Sequence, residues 1–525
     1  MPDPLHTSVL RPRRVPAQPV AGLLERLAGA RLHGDPAVAV TGITHDSREV
    51  RPGDIYLARA GARAHGITFV AEAAAAGAVA VLTDTRSVPE AESAGISAVV
   101  EVDDPRAVTG PAAAWVYGDP TRDLVVVGIT GTNGKTTTAY FVEAGLRAAG
   151  RRTGLIGTIE SHVGGEAVPS LRTTPEATDL QALFAVMRER GVGHVAMEVS
   201  SHALALDRVS GTVFAIAAFT NLSQDHLDFH ADMDDYFAAK ARLFTPELSR
   251  RGVVVVDDEW GRRLSQQSTV PVTTVGAGDP DALPDPDWVL NAEPSEGRAG
   301  FATLRAPDGT VHELTVRLPG RFNVRNAALA FVVLVESGVS PAEAARGIAE
   351  VTAVPGRMEQ VDGGQPFTAL VDYAHTPEAV SQLLAEARHL AGSGHVIVVL
   401  GCGGDRDAAK RPLMGAAAAT GADLAVLTSD NPRSEDPMAI LDAMLVGASS
   451  AVGGGDVRVE PDRHRAIRAA VGLARAGDVV VIAGKGHEQG QEQNGVVTPF
   501  DDRAEVRDAL FALAREVAPA EESAP

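Results

Sequence analysis

LVVVGITGTNGKTTT, residues 124–138, decides how the rest of the chain is read. An apolar, β-branched run leads into a glycine-bearing turn, the turn ends in Gly134-Lys135-Thr136, and a helical pattern follows. Strand, tight turn and helix start together make a phosphate-binding loop, because backbone N–H groups and the positive end of the helix dipole converge on anionic oxygens. Gly131, Thr132, Asn133, Gly134, Lys135, Thr136 and Thr137 form the candidate cradle. Lysine at this place reaches the terminal phosphates, and the Thr136 hydroxyl suits Mg²⁺. The spacing departs from the usual pattern: Ile129 stands where a glycine is expected, and glycines occur at 128 and 131 instead. The stretch points to ATP binding but not to what the ATP drives.

Working outward, 525 residues are enough for several domains, and 45% apolar residues are enough for their cores. A formal net charge of −21 argues against nonspecific nucleic-acid binding and against an anionic membrane surface. The single cysteine, Cys402, excludes an internal disulfide and a cysteine-only metal site, and suits the reducing cytoplasm. No run approaches the ~18 apolar residues of a membrane span. The arginine- and proline-bearing residues 1–19 read as a flexible leader rather than a targeting signal, and the tail at 518–525 reads as frayed.

Three blocks follow, at 20–117, 123–351 and 355–525. In each, short β-branched runs alternate with helical patterns, which implies parallel βαβ units with ligands at the C-terminal ends of the strands. The expected strands include 193–199, 214–220 and 252–258 in the second block, and 368–374, 395–401, 423–429 and 478–484 in the third. The Pro/Asp-rich stretch 276–287 reads as a loop, and APDGT at 306–310 as a hairpin turn.

Polar residues gather where these strands end. Glu198 closes the strand in MEVSSHALALDRV (197–209), a suitable Mg²⁺ ligand or water orienter beside a phosphate loop, or else a strand-end charge facing solvent. Ser201 and His202 follow, and adjacency alone does not make them a hydrolase pair. TNLSQDHLDFH (220–230) offers Asp225, His226 and Asp228 as metal ligands. Lys240 lies on an expected helix and reads by composition as a surface lysine. In LPGRFNVRNAALA (318–330), Asn323 and Asn326 share a helix face and could read a purine edge, or Asn323 could cap the helix. The third block contributes GCGGDRD (401–407), SDNPR (429–433) and GKGHE (484–488), where Arg406 and Arg433 could each clamp a carboxylate.

The series GTNGKTT, MEVSSH, TNLSQDHLDFH, YFAAK, LPGRFNVRNAALA, DYAHTPEA and GCGGDRD, in this order, resembles the Mur ligases of cell-wall synthesis over residues 40–503. DSREVRPGDIYLA (46–58) and SDNPR are similar to the branch that adds the third residue of the peptide stem, in its diaminopimelate-adding form. The resemblance implies an α/β fold of three domains. They are an N-terminal UDP-substrate domain, a central P-loop ATPase domain and a Rossmann-like C-terminal domain for the amino acid. It implies an ATP-dependent ligase that forms an acyl phosphate on UDP-N-acetylmuramoyl-L-alanyl-D-glutamate, and a cytoplasmic monomer with ATP and Mg²⁺ as cofactors. It carries over Lys135, Glu198, His226 and Lys240 as catalytic residues, with Lys240 carbamylated and, with Thr136, Glu198 and His226, a metal ligand. Asn323, Asn326, Arg357 and Asp372 would contact the nucleotide. Ser47, His65, Thr173, Thr174, Ser201 and Arg208 would hold the UDP-muramoyl dipeptide. Arg406, Asp430, Asn431, Arg433, Gly484 and Glu488 would form the diaminopimelate pocket. The competing expectations are a lysine-adding or folylpolyglutamate-type ligase and a non-catalytic ATP-binding regulatory module.

Overall fold

The computed structural model describes residues 10–61, 64–170, 172–278, 285–292, 300–451 and 453–517. The expected tail at 518–525, residues 1–9 of the expected leader and residues 279–284 of the expected loop at 276–287 lie outside these residues.

Three large sheets follow one another along the chain. In the first, Gly42–Thr44, Asp54–Leu57, Ala80–Asp84 and Ala98–Val102 are parallel neighbours, and Arg31–Gly34 closes one edge antiparallel. Ile55 and Leu57 pack on one face and Tyr56 on the other, as alternation along a strand buried on both sides requires.

The leader is not loose throughout. Leu10 packs against the core of the second block, and Arg13 N donates to Glu189 Oε2 at 3.0 Å. Arg11 Nη1 lies 2.6 Å from Asp54 Oδ2, and Gln18–Pro19 pairs with Ala39–Val40. Asp54 is buried and needs a cation, which the leader supplies, so residues 10–19 tie the first block to the second.

The second sheet has eleven strands. Its parallel centre runs Thr153–Ile156, His194–Glu198, Val125–Thr130, Ile216–Phe219, Gly252–Val255, Val272–Ala277 and Trp288–Ala292, with antiparallel hairpins at both edges. The hairpin turn expected at 306–310 joins Gly300–Arg305 to Val311–Val316. Helices Lys135–Ala148 and Arg321–Glu336 cover one face through Phe141, Leu146, Phe331 and Leu334, and Ala177–Glu189 covers the other through Phe184 and Met187. Parallel strands return through crossovers, so the loops after Thr130, Glu198 and Phe219 all open at one edge.

The third sheet runs Glu359–Gln360, Thr368–Asp372, Val479–Ala483, Val396–Leu400, Leu424–Leu427 and Asp456–Val459, parallel except for the first strand. Helices cover both faces. The loops after Asp372, Leu400, Leu427 and Ala483 therefore share one edge, and that edge faces the phosphate loop. Among the described residues, no helix is long and apolar enough to cross a membrane.

Candidate active site

The phosphate loop works through Gly131 and Gly134. Their φ values of 144° and 86° are the backbone conformations that side chains resist, and a Cβ on Gly134 would stand 2.3 Å from Asn326 Oδ1. Gly128 has a different reason: a Cβ there would strike the Phe214 ring. The irregular glycine spacing thus combines one packing glycine with two loop glycines.

Lys135 Nζ donates to the carbonyls of Gly131 and Thr132 at 2.9 and 2.8 Å. Lys240 Nζ donates to the same Gly131 carbonyl at 2.8 Å. The surface position suggested by the composition around Lys240 is wrong, since the side chain is 1% exposed, behind the loop and against the Tyr236 ring. Burial, then the neighbouring Lys135, holds its amine well below the ordinary lysine range. Burial likewise lowers Lys135, against the opposing pull of Glu198 and Asp225.

Glu198 does not face solvent. It is buried, with Oε1 accepting from Thr158 N at 2.8 Å and Oε2 from Thr136 Oγ1 and Thr158 Oγ1 at 3.0 Å each. Arg357 Nη2 donates to Thr136 Oγ1 at 3.0 Å and its guanidinium lies 4.4 Å from the Tyr373 ring centre. Thr136 and Glu198 are hard oxygen donors side by side beneath the loop, which fits Mg²⁺ better than a softer ion.

A cavity of about 420 Å³ opens here, lined by residues 132–137 with Thr173, Thr174, Glu198, Arg208, His226, Asn326, Arg357, Asp372 and Arg406. Asn323 lies beneath it, its amide tied to Pro319 O at 2.6 Å rather than capping the helix, and it accepts from Asn326 Nδ2 at 3.2 Å. Asp372 accepts from the N–H groups of Met358 and Ala374 at 2.7 Å; burial raises its carboxyl, against Arg357.

A second cavity of about 260 Å³ is lined by Arg406, Asp430, Asn431, Arg433, Gly484 and Glu488. His202, Asp225, His226, Tyr373, His375 and Arg406 line both cavities, so the two are neighbours across one wall. Asp225 joins the second block to the third. Its carboxylate lies 3.4 Å from His226 Nε2, 3.6 Å from His375 Nε2 and 3.6 Å from Lys410 Nζ. Burial would raise it, but His375, His226 and Lys410 outweigh burial and hold it well below the carboxylate range. Burial pushes His226 down to about 3, so its ring is neutral at neutral pH.

Arg406 is exposed and makes no ion pair among the described residues, whereas Arg433 donates to Gly404 O at 2.6 Å and lies 3.4 Å from Glu492. Gly484 admits Asp430: a Cβ there would stand 2.9 Å from its carboxylate.

Besides Gly131, Lys240 and Asn323, three more expected residues line neither cavity. Ser47 donates to Glu72, His65 reaches Ile67 N and Asp84 within the first block, and Ser201 is buried with an unpartnered hydroxyl. Several contributors carried no sequence signal. Thr158 lies in no motif. Arg59, Arg172 and Glu176 were not singled out either; the two arginines converge on Glu176 together with the expected Arg208, with Arg59 Nη2 at 3.0 Å and Arg208 Nε at 2.9 Å. His375 and Lys485 stood inside quoted motifs but were not singled out.

A phosphate loop in a cavity that adjoins a pocket of arginines and carboxylates suits an ATP-dependent ligase. The match extends to all three blocks: the Mur ligase family, catalytic domain model covers residues 39–116, the Mur ligase middle domain 129–334, and the Mur ligase, glutamate ligase domain 356–486. The chain belongs to the Mur ligase family. It is 56% identical over 502 residues to the UDP-N-acetylmuramoyl-L-alanyl-D-glutamate--2,6-diaminopimelate ligase of Streptomyces coelicolor, covering 95% of this chain and 98% of that one. It is 46% identical over 509 residues to the UDP-N-acetylmuramyl-tripeptide synthetase of Leifsonia xyli, covering 96% and 98%. Among solved structures, a UDP-N-acetylmuramoyl-L-alanyl-D-glutamate--2,6-diaminopimelate ligase matches with a TM-score of 0.64 and 31% identity, over 95% of this chain and 99% of that one.

Proposed function

We propose that this chain joins diaminopimelate to UDP-N-acetylmuramoyl-L-alanyl-D-glutamate at the expense of ATP, in the cytoplasmic synthesis of peptidoglycan precursor. The observation that supports the reading is the wall common to the two cavities, which sets a phosphate loop beside a pocket of arginines and carboxylates. A carboxylate does not react with an amine until one oxygen becomes a good leaving group. A D-glutamate carboxylate oxygen attacks the terminal phosphorus of ATP, and ADP leaves. The diaminopimelate nitrogen then attacks the acyl carbon, the C–N bond forms, the C–O bond to phosphate breaks, and the amine gives up a proton.

Residues 131–137 hold the phosphates, with Lys135 and Arg357 countering the charge that gathers on the transferring group. Mg²⁺ held by Thr136 and Glu198, with His226 at a second ion, would supply further charge neutralisation. Asn326 and Asp372 face the adenosine, with Asn323 bracing Asn326. Thr173, Thr174, Ser201 and Arg208 hold the muramoyl dipeptide, and Ser47 and His65 the uridine end. Blocks 20–117, 123–351 and 355–525 thus take the UDP substrate, ATP and the amino acid respectively. Lys240 reacts with CO₂ as a neutral amine, losing one N–H proton as the N–C bond forms; its depressed pKa and its burial beside Lys135 suit it to this, and the carbamate would supply a further oxygen ligand.

At the far end of diaminopimelate, Arg406 and Arg433 take the carboxylate while Asp430 and Glu488 take the ammonium. L-lysine lacks that carboxylate and leaves the arginines unmatched. The test is phosphate release from ATP with the UDP-dipeptide present and meso-diaminopimelate, LL-diaminopimelate or L-lysine added separately. Release with a diaminopimelate isomer supports the reading. Release with lysine alone overturns the pocket assignment, and none with any amine overturns the substrate assignment.

A further inference from the structure

Lys485 lies between two of the carboxylates that line the second cavity, Asp430 and Glu488, but does not itself line it. Its side chain is fully buried. Its Nζ is 3.0 Å from Glu488 Oε2, 3.0 Å from Asn431 Oδ1 and 3.5 Å from Asp430 Oδ1. A buried ammonium is costly, and an apolar side chain would fill the same space at less cost, so its charge calls for an explanation. Two consequences follow from the geometry.

The first is orientation. An ammonium only donates, so it faces the carbonyl oxygen of the Asn431 amide, which also accepts from Glu492 N at 3.0 Å. The amide nitrogen is thereby turned to Glu488 Oε2, which it meets at 2.9 Å. One lysine thus fixes both Asn431 and Glu488.

The second is charge. Without Lys485, Asp430 and Glu488 would put two negative charges on one pocket wall. With it, Asp430, Glu488 and Lys485 together carry a single net negative charge, and Arg406, which makes no ion pair among the described residues, lines the same cavity. A local negative group and a free guanidinium in one cavity suit an ammonium and a carboxylate, the far end of a diamino diacid.

We propose that Lys485 is a positioning residue for the amino-acid substrate, acting through Asn431 and Glu488 without touching the ligand. The inference rests on the assignment of the second cavity to diaminopimelate. Its test is steady-state phosphate release by the full chain as Lys485→Met, Lys485→Gln, Glu488→Gln and the Lys485→Met/Glu488→Gln double variant.

Both lysine variants are expected to raise KM for diaminopimelate at least about tenfold, the scale of a lost charged hydrogen bond, with KM for ATP and UDP-dipeptide within about twofold. The double variant is expected to be no worse than the poorer single variant, because the lysine acts through the glutamate. A Lys485→Gln variant with wild-type KM overturns the charge argument and the proposal. So does a double variant whose loss is the product of the single losses, or a loss spread equally over all three substrates. A Lys485→Met chain that fails to fold leaves Lys485→Gln to decide. If the unaltered chain turns over neither diaminopimelate isomer, the pocket assignment falls and this inference with it. Normal turnover with indifferent lysine variants overturns the inference alone.

Discussion

Lys135 and Lys240 donate to one and the same acceptor, the carbonyl oxygen of Gly131, at 2.9 and 2.8 Å. Two buried ammonium groups on one carbonyl repel each other, and the more deeply enclosed Lys240 is held well below the ordinary lysine range, by burial first and Lys135 second.

A lysine lowered on folding binds fewer protons in the native state than in the unfolded chain. Between its folded and unfolded pKa, stability therefore rises with pH. Lys240→Met removes that penalty. In CO₂-free buffer at neutral pH the variant should resist urea better than the parent by at least about 1 kcal/mol, with a larger margin at lower pH. It should also lose activity by at least about a hundredfold. Urea titrations across pH check the first statement and phosphate release the second.

Glu198 accepts three hydrogen bonds, from Thr136 Oγ1, Thr158 N and Thr158 Oγ1. Glu198→Gln keeps the shape and loses the charge. Phosphate release should fall by about a hundredfold or more, and the Mg²⁺ concentration for half-maximal rate should rise. Calorimetric ADP affinity measured without metal should change little. An unchanged Mg²⁺ dependence would remove Glu198 from the metal site.

Arg406 makes no ion pair among the described residues, and Arg433 is already engaged by Gly404 O and Glu492. Alanine at either should raise KM for diaminopimelate, by an amount within the about 2–5 kcal/mol typical of a lost charged partner. Arg406, the freer cation, should show the larger loss. KM for ATP should hold within about threefold. Equal losses for both substrates would refute the assignment.

Asp225 clasps the third block to the second through His375 and Lys410. Asp225→Asn should loosen that contact. Small-angle scattering with a nonhydrolysable ATP analogue should give a larger radius of gyration than for the parent, and kcat should fall. An unchanged radius with unchanged kcat would mean the clasp plays no part in bringing the blocks together.

Arg463 and Asp502 form a bidentate pair at 2.7 Å, both fully buried, and Arg463 Nη2 also donates to Ala483 O at 3.0 Å. Arg463→Met leaves a buried carboxylate unpaired and should cost about 3–5 kcal/mol, read from the urea midpoint. The pair braces the strand end that carries Gly484 and Lys485, so KM for diaminopimelate should rise in the same variant.

Much of this architecture was legible in the chain because parallel strands buried on both faces read as β-branched runs. Val396–Leu400 and Val479–Ala483 are examples, and their polar ends announced the pockets. What stayed hidden depends on tertiary approach. Lys240 sits in a helix whose composition suggests solvent, and only the fold sets it behind Gly131. Arg11 is one arginine among several in a proline-bearing segment, and nothing local says that Asp54 is its partner. Thr158 has no motif at all and matters because Glu198 comes back to it through a parallel pairing.

The central claim is that a D-glutamate carboxylate is activated by phosphoryl transfer before the amine attacks. The most direct test is to place heavy oxygen in the D-glutamate carboxylates of the UDP-dipeptide, run the reaction with ATP and diaminopimelate, and weigh the released phosphate. An acyl phosphate requires one labelled oxygen to leave with phosphate, and the account predicts that transfer. Unlabelled phosphate, with tripeptide formed, would mean that water or the amine met the phosphorus first, and would contradict it.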